Sequence, residues 1–176
     1  KMGKFSPILA KICYKGERMN TSIEEWLDKY GESHQNKTNK LIHWFCVPII
    51  TFTLLGLLSL VSYTFIIYNQ AITINLAWVL IIIAVLFYLK LSYSLTIGMF
   101  IFSGICLWLI NTLTNTYLPT ELLEYYIIAF ILAWIGQFIG HKIEGKKPSF
   151  FEDIQFLLIG PAWLLSFIYK KYNISL

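Results

Sequence analysis

What most constrains this chain is where charge is missing. Between Lys40 and Lys90 lie 49 residues without Asp, Glu, Lys or Arg, and between Lys90 and Glu121 another 30. One helical crossing of a bilayer takes about 20 apolar residues, so the first gap has room for two helices and the second for one. The 176 residues are 57% apolar and 14% charged, against about 25% charged in ordinary soluble domains. The expectation is an all-α, polytopic membrane bundle: about four transmembrane helices, an N-terminal amphipathic helix and a short C-terminal re-entrant or interfacial helix.

Residues 1–20 read as an extension or tag-like segment, and 21–176 as a single membrane-embedded catalytic domain. Thr21 followed by Glu24 has the form of a capping box. It would open a helix carrying Trp26, Leu27 and Tyr30 on one side, lying along the interface. The first span is expected over 41–67 with Pro48 inside it, then a tight turn at Asn69 and Gln70, and a second span over 71–89. A third covers 91–113, where Ser94, Gly98, Ser103 and Gly104 would permit close helix approach. After a polar loop, the fourth covers 122–140. The last apolar block, 154–169, has 16 residues and is short for a crossing.

Lys and Arg number eight before the first span, none at the first turn, one at Lys90, none between 114 and 121, and three between 142 and 147. That alternation predicts a cytoplasmic N-terminus and a cytoplasmic segment from 141 onward. The composition, rich in Lys, Asn and Ile, favours a bacterial inner membrane over the endoplasmic reticulum. The net charge of +4 is modest, and no basic run interleaved with aromatics suggests nucleic acid. Cys13, Cys46 and Cys106 are scattered and odd in number, which argues against a disulfide framework or a thiolate site. No cleaved secretory signal is expected.

All three histidines lie at the ends of apolar blocks: His34 and His43 at the first, His141 at the end of the fourth. Four crossings return the chain to its starting face, so these imidazoles can converge there on a metal. Glu144 follows His141 at i+3, on the same helical face, and imidazole with carboxylate suits Fe(II), Zn or Mn. His34, His43, His141 and Glu144 are the candidate ligands and catalytic residues. Asn36, Asn39 and Gln137 are candidates to orient them. Lys146 and Lys147 could attract an anionic head group, although their simpler role is to fix topology. A histidine beside a span is often just hydrogen-bonded at the interface, Glu144 could be a solvated carboxylate, and Trp44, Trp78, Trp108, Trp134 and Trp163 read as interfacial anchors.

Tyr30-Gly31-Glu32-Ser33-His34-Gln35-Asn36, Asn39, and Ile42-His43-Trp44-Phe45-Cys46-Val47-Pro48 form one block of residues, and Gln137-Phe138-Ile139-Gly140-His141-Lys142-Ile143-Glu144 with Lys147-Pro148 a second. Together they resemble the 2-hydroxy fatty acid dioxygenase family, with members in the yeast endoplasmic reticulum and in bacteria. The resemblance covers about residues 22–170 and is weakest in the second and third spans; Lys142 stands where many relatives have Gly. It implies an Fe(II)-dependent enzyme of fatty acid α-oxidation that uses O2 to shorten a 2-hydroxy fatty acid by one carbon, with metal positions at His34, His43 and His141 and an acidic position at Glu144. The implied partners are that substrate, O2 and membrane lipid, and a homo-oligomer is left open. Two other readings stay beside it: a non-enzymatic lipid-binding or assembly protein, and a metal-dependent lipid hydrolase.

Overall fold

The computed structural model describes residues 23–145 and 157–176. The extension at 1–20, the cap at Thr21, and Lys146 and Lys147 lie outside them. Six helices occupy the described residues: α1 (Ile23–Gly31), α2 (Lys37–Ser59), α3 (Leu76–Leu89), α4 (Tyr93–Thr114), α5 (Pro119–Glu144) and α6 (Ile159–Lys171), with strands β1 (Ser62–Ile67) and β2 (Gln70–Asn75) between α2 and α3. α2, α4 and α5 are long and apolar enough to cross a membrane. Large apolar side chains on them, such as Phe45, Ile49, Phe100, Ile105, Leu132 and Ile139, face outward. Lipid in place of water makes that arrangement favourable, and the chain is an all-α membrane bundle.

The first two expected spans are bounded differently. α2 stops at Ser59, and the charge-free run continues as an antiparallel hairpin in which Ser62 pairs with Asn75 and Ile67 with Gln70. Its residues are mostly β-branched or aromatic, which favours a pleated strand, and hydropathy alone cannot separate such a run from a helix. The turn is Tyr68-Asn69, not Asn69-Gln70: φ is 49° at Tyr68 and 61° at Asn69, the left-handed pair that two-residue hairpins adopt. The Thr64 and Thr73 hydroxyls face each other across the strands at 2.9 Å. The helix that follows, α3, therefore has only 14 residues. At 1.5 Å per residue it spans roughly 21 Å of a hydrocarbon core about 30 Å thick.

The C-terminal helix begins beside the end of this short helix. Tyr88, at the end of α3, donates its hydroxyl to the Leu158 carbonyl, and Tyr169 of α6 donates to the Ser94 carbonyl at 2.6 Å. α6 packs on α1, α2 and α4, and Ile159, Ala162, Trp163, Leu164, Ser166 and Tyr169 are buried. With 13 residues it is too short to cross, and its burial is that of an inner element, not of a helix floating on the interface. α1 joins the same core through Ile23, Leu27 and Tyr30, with Trp26 packed at its edge.

The most extensive helix pairing is α2 against α5. It is antiparallel, since Gly56 meets Tyr126 near one end while Asn39 meets Gly140 near the other. Gly136 and Gly140 sit one turn apart on the contact face: a Cβ at Gly136 would lie 2.6 Å from Cys46 Sγ, and one at Gly140 would collide with Asn39 Oδ1. Among the small residues of α4, Gly98 faces Leu165 and Tyr169, whereas Gly104 faces open space. Gly136→Leu should therefore lower the thermal midpoint of the detergent-solubilised protein by the equivalent of about 1–3 kcal/mol of overpacking. Gly104→Leu, carrying the same side chain into lipid-facing space, should leave it within experimental error.

Candidate metal centre

His34 lies in the loop that joins α1 to α2, where the last carbonyls of a helix lack intrahelical partners. One of them, Tyr30 O, accepts a hydrogen bond from His34 Nδ1 at 2.6 Å. The Tyr30 ring stacks on the imidazole, with centroids 4.2 Å apart and planes 13° from parallel. In the second turn of α2, His43 Nδ1 donates to the Asn39 carbonyl at 2.9 Å. A carbonyl can only accept, so both rings carry their proton on Nδ1 and turn an Nε2 lone pair inward. Those two Nε2 atoms lie 2.9 Å apart.

His141, in the last turn of α5, completes the cluster, its ring centroid 5.1 Å from each of the others. A donor atom from each of the three lies within 4.8 Å of the others, and all three residues are buried. Two neutral lone pairs facing at hydrogen-bond distance are repulsive unless a proton or a cation sits between them. A proton is disfavoured at His34, whose pKa is lowered from 6.5 to about 4, chiefly by burial, against the opposing pull of the Tyr30 carbonyl. The donor set fits a divalent metal, for which neutral imidazole is a common ligand and whose bonds run to about 2.1 Å.

Glu144 is not the fourth member of this cluster. Its Oε1 accepts the Gln35 backbone N–H at 2.8 Å, and its Oε2 accepts the Asn36 N–H at 2.9 Å and Asn39 Nδ2 at 3.1 Å. The carboxylate clasps the N-terminal end of α2, where unsatisfied N–H groups and the helix dipole favour an anion. Asn36 is also structural: its side chain caps α2 by accepting from Thr38 N and Asn39 N. Asn39 has the most connected role. Fully buried, it donates to the Ser33 carbonyl at 3.2 Å as well as to Glu144, while its backbone carbonyl fixes His43. Its Oδ1 is buried without a hydrogen-bond partner, in the place that the missing Gly140 side chain leaves. Gln137 is buried one turn before His141, on the wall of the cleft beside it.

A cleft opens beside His141, lined by Tyr30, Thr51, Trp134, Gln137, Gly160 and Pro161 among others. Two of the site's walls were not anticipated. Tyr30 holds His34 by both its carbonyl and its ring, and Trp163 of α6 lies 5.2 Å from His34 and 5.3 Å from Tyr30, centroid to centroid. The pairs Tyr30/His34 and Asn39/His43 share an i, i+4 spacing that sequence can reveal. The place of Trp163 depends on the packing of α6, which it cannot.

Two outcomes follow from these contacts. Replacing Glu144 with Gln should cost about 1.5 kcal/mol of stability, the low end for hydrogen bonds to a charged acceptor, yet leave the metal stoichiometry of the purified protein intact, whereas His34→Ala should abolish it. In chelator-treated protein the unfolded chain takes up more protons than the folded one between pH 6.5 and about 4 at His34. Stability is thus full above that window and falls as pH drops through it. Thermal midpoints measured from pH 7 to pH 4.5 should decline, with a shallower slope in His34→Gln.

A family profile described as 2-hydroxy-palmitic acid dioxygenase Mpo1-like matches residues 20–172. The chain is 29% identical over 151 residues to the 2-hydroxy-palmitic acid dioxygenase MPO1 of Saccharomyces cerevisiae, covering 84% of this chain and 80% of that protein. No solved structure matches the chain. The profile covers nearly the whole chain, including all three clustered histidines, and the protein belongs to the Mpo1-like family.

Proposed function

We propose that this protein is an Fe(II)-dependent dioxygenase that shortens 2-hydroxy fatty acids by one carbon, with His34, His43 and His141 as its metal ligands. The observation that carries the reading is the pair of carbonyl-fixed imidazoles facing each other at 2.9 Å, with a third beside them. Membership in a family described by a 2-hydroxy-palmitic acid dioxygenase supports the reaction class. A bound ferrous ion would supply a Lewis-acidic, redox-active centre with positions open to the 2-hydroxy and carboxylate oxygens and to dioxygen.

The residues around it have separable tasks. The Tyr30 and Asn39 carbonyls hold the tautomers that present Nε2. The Tyr30 and Trp163 rings keep water from one side of His34. Gln137, on the wall of the cleft beside His141, meets the substrate carboxylate. Lys146 and Lys147 draw that carboxylate to the face of the membrane, which the Lys and Arg distribution makes cytoplasmic, in a bacterial inner membrane. In the overall reaction the C1–C2 bond breaks, C2 rises from alcohol to carboxyl and C1 leaves as carbon dioxide. The substrate gives up four electrons, dioxygen takes four to complete the new carboxyl group and one water, and no separate reductant is needed.

Purified protein should contain iron and consume oxygen with 2-hydroxypalmitate, releasing the acid one carbon shorter. His34→Ala, His43→Ala and His141→Ala should each lose both metal and activity. Product formed without oxygen would point instead to a metal-dependent lipid hydrolase. A well-folded protein that takes up no metal would favour a lipid-binding or assembly role.

A further inference from the structure

The cleft beside His141 does not end at the histidines. Thr51, Leu157 and Pro161 line it and also line a second slot, of about 40 Å³, between α2, α3, α4 and the start of α6. Beyond this shared neck the slot runs past Ala84 to Leu55, Leu80 and Ser103. Polar groups at the neck are already engaged: Thr51 Oγ1 donates to the Val47 carbonyl at 3.0 Å, and the Tyr88 hydroxyl donates to the Leu158 carbonyl. The rest of the lining is almost wholly apolar and sits at membrane depth, so it suits a hydrocarbon and not a head group.

We propose that the slot between α2, α3 and α4, reached past Thr51, Leu157 and Pro161, holds the terminal carbons of the substrate's hydrocarbon tail, and that Ala84 and Ser103 set the chain length accepted. This rests on the reading of the protein as an enzyme of 2-hydroxy fatty acids and adds where the tail lies. Chain direction orders the two positions. α2 and α4 run away from the histidine face and α3 returns toward it, so Ser103 and Leu80 lie far from the neck and Ala84 lies nearer. The tail therefore meets Ala84 first. A neighbouring and roomier groove of about 140 Å³, lined by Trp44, Pro48, Phe102, Leu164 and Ile168, shares Met99 and Pro161 with the slot. It is the competing route.

The test uses the full chain in detergent, chelator-treated and metal-loaded, with 2-hydroxy acids of eight to eighteen carbons. Affinity is read by displacement of a fluorescent fatty acid, and oxygen uptake is read in parallel. Each methylene expelled from an apolar site weakens binding about 4-fold. Ser103→Leu should thus weaken the longest acids by about tenfold or more while sparing the shortest. Ala84→Leu should move the cut-off to shorter chains still, and Leu80→Ala, which removes bulk and risks no clash, should extend it. Unchanged length profiles in all three variants, with wild-type helicity and melting, would overturn the proposal, as would a shift produced only by Leu164→Trp in the neighbouring groove. Length-selective binding that follows the variants without any oxygen uptake would sink the dioxygenase reading and leave the slot standing. Oxygen uptake with an unaltered length profile would sink the slot alone.

Discussion

The close approach of α2 and α5 is the contact from which the site follows. Gly136 and Gly140 let the two backbones come together where side chains would hold them apart, and in lipid such packing replaces the hydrophobic drive that water would supply. At the histidine end the approach is tight enough for Glu144 on α5 to take the Gln35 and Asn36 N–H groups at the start of α2. That clasp fixes the loop bearing His34 to the helix bearing His141. Asn39 joins packing to chemistry: its amide braces Ser33 and Glu144 while its carbonyl sets the tautomer of His43. Helix association and donor geometry are two aspects of the same contact.

Much of this was legible in the chain because membrane proteins write their architecture in charge. The empty stretches on either side of Lys90 and the alternation of Lys and Arg placed the passes well enough to bring three distant histidines to one face. The boundaries were less legible. A membrane span and a β-branched hairpin are both apolar and charge-free, so residues 62–67 and 71–75 read as the ends of two helices joined by a turn, where the left-handed pair Tyr68-Asn69 in fact closes a hairpin. Small residues were sought on α4, where Gly98 does meet α6, while the Gly136/Gly140 pair that brings the histidines together lies on α5. Glu144 shows how spacing can mislead. At i+3 from His141 it has a ligand's position, but two backbone donors of another helix compete for its oxygens, and sequence spacing carries no information about them.

Burial and hydrogen bonding act together on the imidazoles. Taking the His34 ring out of water opposes its protonation, and the backbone carbonyls hold the remaining proton on Nδ1, away from its neighbour. Either alone would be insufficient: a buried ring with a free tautomer could hydrogen-bond a neighbour through Nε2, and a fixed tautomer in water could pick up a second proton. With both in place, His34 offers a neutral donor to a cation across the physiological range.

α6 is the element whose position is hardest to infer and whose removal would touch the most. The Tyr88 hydroxyl on the Leu158 carbonyl, the Ser94 carbonyl that accepts from Tyr169, and the buried face around Ala162 hold α6 against α1, α2 and α4. Once inside, it presents Trp163 to His34 and Pro161 to the cleft. The end of α3 thus bears on the histidines at second hand: Tyr88 holds Leu158 at the start of α6, and α6 carries Trp163 to His34 and Pro161 to the cleft.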